Sequence, residues 1–529
     1  MWRSCLTVAI CFHLCQVGVT TLLWPMVRPL IGVIMAEQEI AWDLSLLVGD
    51  VSSERYRELL DEIVEGFRGF SEDYGERVEN MKPSEIRQML RVLESLYVRR
   101  LDLTNYGRLM FEACSSDKRS MQFNSWAREI ESQTKQIRTP LEIRLGKRLS
   151  DDPSLLEHDK VADFRHYLER LRQLAPYRLS EESEKVVIQK DVNGISLFSQ
   201  LRGSWVSKKT FEVEVEGEKK TLSFAQLGSL RMSPDREVRR MATIELYKSL
   251  AEDDLIHSMT LRSVCDDHMA MTEMRGMPSP MTQSLLDQDV DEEAVDTLLS
   301  TIESTSGDYR EFLSVKAKVM GLDRLAGHDV IAPMTTNPVW KFDWPEARKI
   351  VTEAFTSFDD EIGGVIDAMF TKNKIDASNR VGKRYGAFCS RHAGAKSSYV
   401  LLSFNETMDD VFTLAHELGH AAQGHVTYHM QSPLNWRTSS CLAEMGSIFG
   451  ELLLTDKLLA MSESKEEKME ILAHVLGGYF YTVYYVGLRA LFEKSVYDTI
   501  AKGELIHAET ACNLWNAAKK RVFADSVDW

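Results

Sequence analysis

The stretch Leu414-Ala-His416-Glu417-Leu-Gly-His420-Ala-Ala-Gln holds the residues whose types and spacing could do chemistry. On a helix, residues four apart share a face, so His416 and His420 aim their imidazoles at one point. Two imidazoles so placed can take two corners of a zinc tetrahedron. Glu417 is rotated from His416 by about 100°. It cannot join the histidines as a ligand, but it can reach a water held by the metal. The predicted chemistry is hydrolysis by a zinc-activated water, with Glu417 as general base. The bland alternative is a surface helix bearing two solvated histidines. Against it, Val411, Phe412, Leu414, Ala415, Leu418, Ala421 and Ala422 make the run apolar. A buried His-His-Glu cluster without a metal is costly.

A third ligand is needed. The pattern His-Glu-x-x-His-x-x-Gly-x-x-His would require Gly at 423 and His at 426, where this chain has Gln423 and Val426. His425 and His429 remain possible ligands, but Gly424 is expected to end the helix before them. The better candidate is Glu444, in Ser439-Ser-Cys-Leu-Ala-Glu444-Met-Gly-Ser-Ile-Phe-Gly-Glu451. Ser439 or Ser440 can cap a helix here. Glu444 and Glu451 then fall on one face of an otherwise apolar helix. Carboxylates on a buried face need partners. A zinc ion for Glu444 and a ligand histidine for Glu451 would supply them; pairing with Arg or Lys is the alternative.

Leu-Ala-His416-Glu417-Leu-Gly-His420-Ala, followed by Ala443-Glu444-Met-Gly-Ser-Ile-Phe-Gly-Glu451, resembles the oligoendopeptidase F branch of the thimet-oligopeptidase family. Gly382-Lys-Arg-Tyr-Gly-Ala-Phe-Cys389, Ser398 to Asp410 and the segment from Leu458 to Glu493 resemble it too. The resemblance covers residues 38 to 529 and is strongest from 380 to 455. It implies one zinc per chain, with His416, His420 and Glu444 as ligands and Glu417 as base. It implies a mainly α, two-lobed helical metallopeptidase with a small β-structure beside the motif helix and a deep substrate channel. Substrates would be short oligopeptides, with folded proteins excluded. In the family, a segment like Leu514 to Trp529 is followed by helices bearing a histidine and tyrosines that stabilise the oxyanion. Their absence from this sequence sets up an alternative: a catalytically impaired zinc-binding peptide binder or scaffold. A zinc hydrolase acting on a non-peptide amide is a third reading.

The remainder of the chain has to position these residues. At 529 residues it can bury a large core and is expected to split into lobes. Its 44% hydrophobic and 27% charged content places it among ordinary globular proteins. The net charge of −17 argues against nucleic-acid binding. Eight scattered cysteines without a Cys-x-x-Cys pair suggest free thiols in a reducing compartment, hence a cytoplasmic location. Ser4 to Val27 carries no charged residue. It reads as a signal peptide, a membrane anchor, or translation from a start codon upstream of Met35, the preferred reading. A membrane contact is expected only if residues 4–27 are a genuine anchor, and the sequence leaves oligomeric state open.

Residues 35–245 are expected to form a helical N-terminal region, with a β-hairpin near 210–224 where Thr210 to Phe224 alternates polar and apolar. Ser233-Pro-Asp reads as a helix start with Ser233 as cap. Residues 246–529 are expected to form the catalytic domain. Trp344-Pro345 opens a helix through Phe370. Tyr479-Phe-Tyr-Thr-Val-Tyr-Tyr485 reads as aromatic core. Thr407 can cap the motif helix, with Asp410 closing a capping box. Tyr399, Val400 and Leu401 form a strand leading into that helix. Its edge is expected to receive an extended peptide.

Overall fold

The computed structural model describes residues 39–529, except 216, 335–339, 381 and 385; the extension at 1–34 lies outside the described residues. The chain is mostly helical, with three small sheets among the described residues. The helices follow the expected pattern. Ser53–Tyr74 is capped by Ser52, which accepts the Arg55 amide, and buries Tyr56, Leu60, Ile63, Val64, Phe67 and Phe70 at helical spacing. Trp344-Pro345 does open a helix, but it ends at Phe358. The side chain of Asp359 then caps a second helix, Asp360–Thr371.

Two compact units are present, and they do not part at residue 245. Among the described residues, one is built from 39–188 and 341–457, the other from 189–340 and 458–529. The N-terminal helices therefore share a unit with the segment that carries the His-Glu-x-x-His motif. The reason is packing: Leu109 of the helix Pro83–Ala113 lies in one apolar cluster with Trp42, Tyr399 and Leu401.

In this unit a three-stranded sheet precedes the motif helix. Its order places Ser397–Leu401 in the centre, between Ile375–Asp376 and Phe388–His392. The central strand runs parallel to the first and antiparallel to the second. Both of its edges are taken, and Tyr399, Val400 and Leu401 are fully buried. The expectation that these residues offer a free edge is therefore overturned. An unbroken apolar run marks a strand covered on both faces, which belongs inside a sheet. The open edge belongs to Phe388–His392, called here the outer strand.

In the other unit, Thr210–Val215 and Glu218–Ser223 form the expected antiparallel hairpin. Gly217 takes the left-handed φ of 78° that its turn needs. The helix Arg236–Glu252 is capped by Asp235, which accepts the Glu237 and Val238 amides; Ser233 instead accepts the amide of Asp235. The aromatic run is only partly core. Phe480 is buried, whereas Tyr479 and Tyr481 are each 42% exposed. A π-helical turn over Phe480–Tyr485 shifts the register, so the rings do not fall on one face.

Candidate metal centre

The motif helix spans Met408–Met430. Thr407 and Asp410 form the capping box at its start, and Asp410 also accepts the Asn405 amide at 2.9 Å. All seven apolar residues named in the sequence reading are buried, which fixes how the helix is rotated. That rotation places the His416 and His420 rings 4.9 Å apart and leaves Glu417 only 1% exposed. Gly424 does not end the helix, as the sequence reading expected. The last turns are held by Tyr428, buried against Trp436 with ring centroids 5.1 Å apart. His425 and His429 stay outside the cluster: His425 lies 3.5 Å from Glu361, and His429 bonds the His425 carbonyl.

A second helix, Ser440–Met461, brings the carboxylates. Glu444 Oε2 stands 3.4 Å from His416 Nε2 and 3.7 Å from His420 Nε2. Atoms at zinc-ligand distances of about 2.1 Å from a common centre, at tetrahedral angles, stand about 3.4 Å apart. Among the described residues, His416, His420 and Glu444 are the group whose donor atoms all lie within 4.8 Å of one another. The other ring nitrogens are engaged. His416 Nδ1 pairs with Glu451 Oε1 at 2.6 Å, and His420 Nδ1 donates to the Ala443 carbonyl at 3.1 Å. Each histidine is thereby fixed with Nε2 presented to the common point, which suits a metal. Ser447, fully buried, donates to Glu444 Oε2 at 3.0 Å. The face bearing the two glutamates is less buried than expected, with side chains 42% and 36% exposed.

Two glycines let the helices approach. A Cβ on Gly419 would sit 2.4 Å from the Gly446 carbonyl oxygen, and one on Gly450 would sit 2.5 Å from that of Ala415. Only a residue without a side chain allows backbones so close. The sequence reading missed both glycines, Ser447 and the Ala443 carbonyl. Their signal was present: Gly419 lies inside the motif, and Gly450 directly precedes Glu451.

The local electrostatics are those of a charged cluster out of water. Burial opposes charge on His416, but Glu444 and Glu451 outweigh it and hold its pKa at about 10. Burial, reinforced by the His416 charge, pushes His420 down to about 4. Burial raises Glu417 to about 8, with His416 opposing. Glu444 is buried enough to resist ionisation, yet its bond to His416 brings it below the ordinary value. A divalent cation at the common point would offset the repulsion among Glu417, Glu444 and Glu451. Cys389, on the outer strand, is close enough to Glu417 that the carboxylate adds to burial in raising the thiol to about 12.

The profile of "Peptidase family M3" matches residues 229–529, and that of "Oligopeptidase F" matches residues 153–208. The chain is 28% identical over 311 residues to the chromosomal oligoendopeptidase F of Lactococcus lactis subsp. cremoris, covering 59% of this chain and 51% of the relative. It is 24% identical over 376 residues to the oligopeptidase PepF of Bacillus subtilis, covering 70% of this chain and 56% of the relative. It thus spans little more than half the length of these curated relatives. Among solved structures, a putative peptidase from Chlamydophila abortus superposes with a TM-score of 0.75 at 20% identity, covering 92% of this chain and 82% of that one. Oligoendopeptidase-F from Enterococcus faecium superposes with a TM-score of 0.64 at 18% identity, covering 90% and 81%. At these identities the structures speak to the fold.

Proposed function

Because this chain belongs to peptidase family M3, we propose that it is a zinc-dependent metalloendopeptidase that hydrolyses peptide bonds in short oligopeptides. The observation that carries this reading is the convergence of His416 Nε2, His420 Nε2 and Glu444 Oε2, with Glu417 on the same helix beside them. One zinc ion per chain, when bound there, supplies Lewis acidity towards water and the scissile carbonyl. His416, His420 and Glu444 hold it; Glu451, Ser447 and the Ala443 carbonyl orient them.

Glu417 moves the proton. Its carboxylate accepts a proton from the attacking water and passes it to the leaving nitrogen. Without a cation, burial keeps this carboxyl largely protonated near neutral pH. A cation beside it stabilises the ionised form that a base requires. Close burial also keeps bulk water from competing for the proton.

The peptide is held in extended form along the outer strand, which has an open edge and packs against the motif helix. The names of the relatives, oligopeptidase and oligoendopeptidase, support short peptides as the substrate class. A cytoplasmic location belongs to the same reading, supported by the free thiols of Cys114, Cys265, Cys389, Cys441 and Cys512. The competing reading of an impaired scaffold draws no support from the site, since a structural zinc has no use for a buried carboxylate placed as Glu417 is.

The test is Glu417→Gln. Zinc content stays at one per chain, while cleavage of internally quenched peptides falls by roughly two to four orders of magnitude. Chelation removes both zinc and cleavage from the unsubstituted chain. Full activity in the Gln variant would overturn Glu417 as base.

A further inference from the structure

The outer strand does not present its whole edge. Three residues on one face of the helix Pro83–Ala113 reach the strand and the turn after it. Asp102 accepts the amides of Ala393 and Gly394 at 2.6 and 2.7 Å. Asn105 donates Nδ2 to the Arg391 carbonyl at 2.8 Å. Arg108 donates to Ser390 Oγ at 2.5 Å.

The strand register shows which backbone groups this arrangement covers. The Val400 amide donates to the Lys374 carbonyl, on the side of the central strand away from the outer strand. In an antiparallel ladder, both members of a facing pair point inward or both point outward. Cys389 faces Val400 and Arg391 faces Ser398. Cys389 and Arg391 therefore turn their amides and carbonyls to the open edge. Of these two outward positions, Arg391 is the one whose carbonyl Asn105 has taken, and Cys389 is the one left to a peptide.

We propose that Asn105 is an end-stop for the substrate ladder. A bound peptide pairs with Cys389 and is prevented from pairing onward with Arg391. The next outward pair lies about 6.8 Å further along the strand, where the Asn105 side chain occupies the acceptor. Asn105 is thus a specificity-determining residue acting on backbone, not on side chains. It limits how much peptide the strand grips on that side, so that extra length there adds no affinity. This inference rests on the outer strand being the peptide's docking edge.

The experiment uses the full chain carrying Glu417→Gln and loaded with zinc, so that peptides bind without turnover. Labelled peptides of one core sequence, extended stepwise at either end, are titrated by fluorescence anisotropy. With Asn105 present, extension towards Arg391 leaves Kd unchanged. With Asn105→Ala, the extension that reaches Arg391 lowers Kd by about fivefold, the worth of one net backbone hydrogen bond. Asn105→Ser, too short to reach the carbonyl, gives the same length-selective gain and covers the case in which the Ala variant does not fold. An identical length dependence with and without Asn105 would overturn the end-stop. Backbone N-methylation, scanned along the core peptide, tests the premise separately. Weakened binding at the amide facing Cys389 supports the docking edge; insensitivity at every position would overturn the edge and the end-stop with it.

Discussion

Nδ1 of His416 and Oε1 of Glu451 lie 2.6 Å apart, on two different helices. A carboxylate at that distance holds the Nδ1 proton, leaves Nε2 as the nitrogen that a metal can displace a proton from, and raises the basicity of the ring. Glu451→Gln keeps the shape but weakens all three effects. Zinc affinity is expected to fall about 10- to 100-fold. Competition against a chromophoric chelator measures it, and an unchanged affinity would show that Glu451 plays no part in holding His416.

The crossing of the two helices gives a second prediction. A methyl group on Gly419 would meet the Gly446 carbonyl at 2.4 Å, a distance that requires backbone movement. Gly446 lies two residues from Glu444, so moving it moves the carboxylate that completes the histidine pair. Gly419→Ala should therefore lose zinc affinity by at least tenfold, on the scale of losing an orienting partner. The chain should still fold, with a lower Tm. Parallel chelator competition and thermal unfolding check both parts. A variant that lost stability while binding zinc normally would show that the glycine serves packing alone.

A third prediction concerns pH and a carboxyl remote in sequence from the centre. Glu493 is 7% exposed, accepts a bond from Tyr497 at 3.0 Å, and has its Oε2 buried with no hydrogen-bond partner among the described residues. Burial pushes its pKa from 4.5 up to about 8. The unfolded chain releases this proton near 4.5, while the folded chain keeps it to about 8. Stability from this group is therefore complete below 4.5 and is lost as pH rises to about 8. Glu493→Gln stays neutral throughout. Relative to the unsubstituted chain it should gain on the order of a few kcal/mol between those limits. Chemical unfolding at pH 5 and pH 8 measures the difference, and equal gains at both would contradict a buried, protonated Glu493.

What the sequence made legible was local. His416, Glu417 and His420 sit within one helix turn or so. The Thr407–Asp410 cap spans four residues, and both are read from a known helical period. Glu444 was reachable because its partner Glu451 lies two turns away on the same helix. Whatever depended on remote segments was not legible. Tyr399 reads as a strand residue, but its central place is set by Ile375–Asp376, whose pairing is too short to leave a pattern. Gly424 is a common helix stop. Here the contact of Tyr428 with Trp436 overrides it, and nothing in residues 424–428 announces that contact. Asn105 looks like any polar residue on a helix until the Arg391 carbonyl, 286 positions later, is placed beside it.

The unit that carries the candidate metal centre is assembled from two stretches of sequence, residues 39–188 and 341–457 among those described. On the ribosome these stretches emerge far apart in time. At about 5–20 residues per second, roughly eight to thirty seconds of synthesis separate the end of the first from the start of the second. During that interval Trp42 and Leu109 are already made, while Tyr399 and Leu401, which close their apolar cluster, are not. The nascent chain therefore waits with part of its core uncovered. Its demand on chaperones should peak in that window, well before His416, His420 and Glu444 have been made.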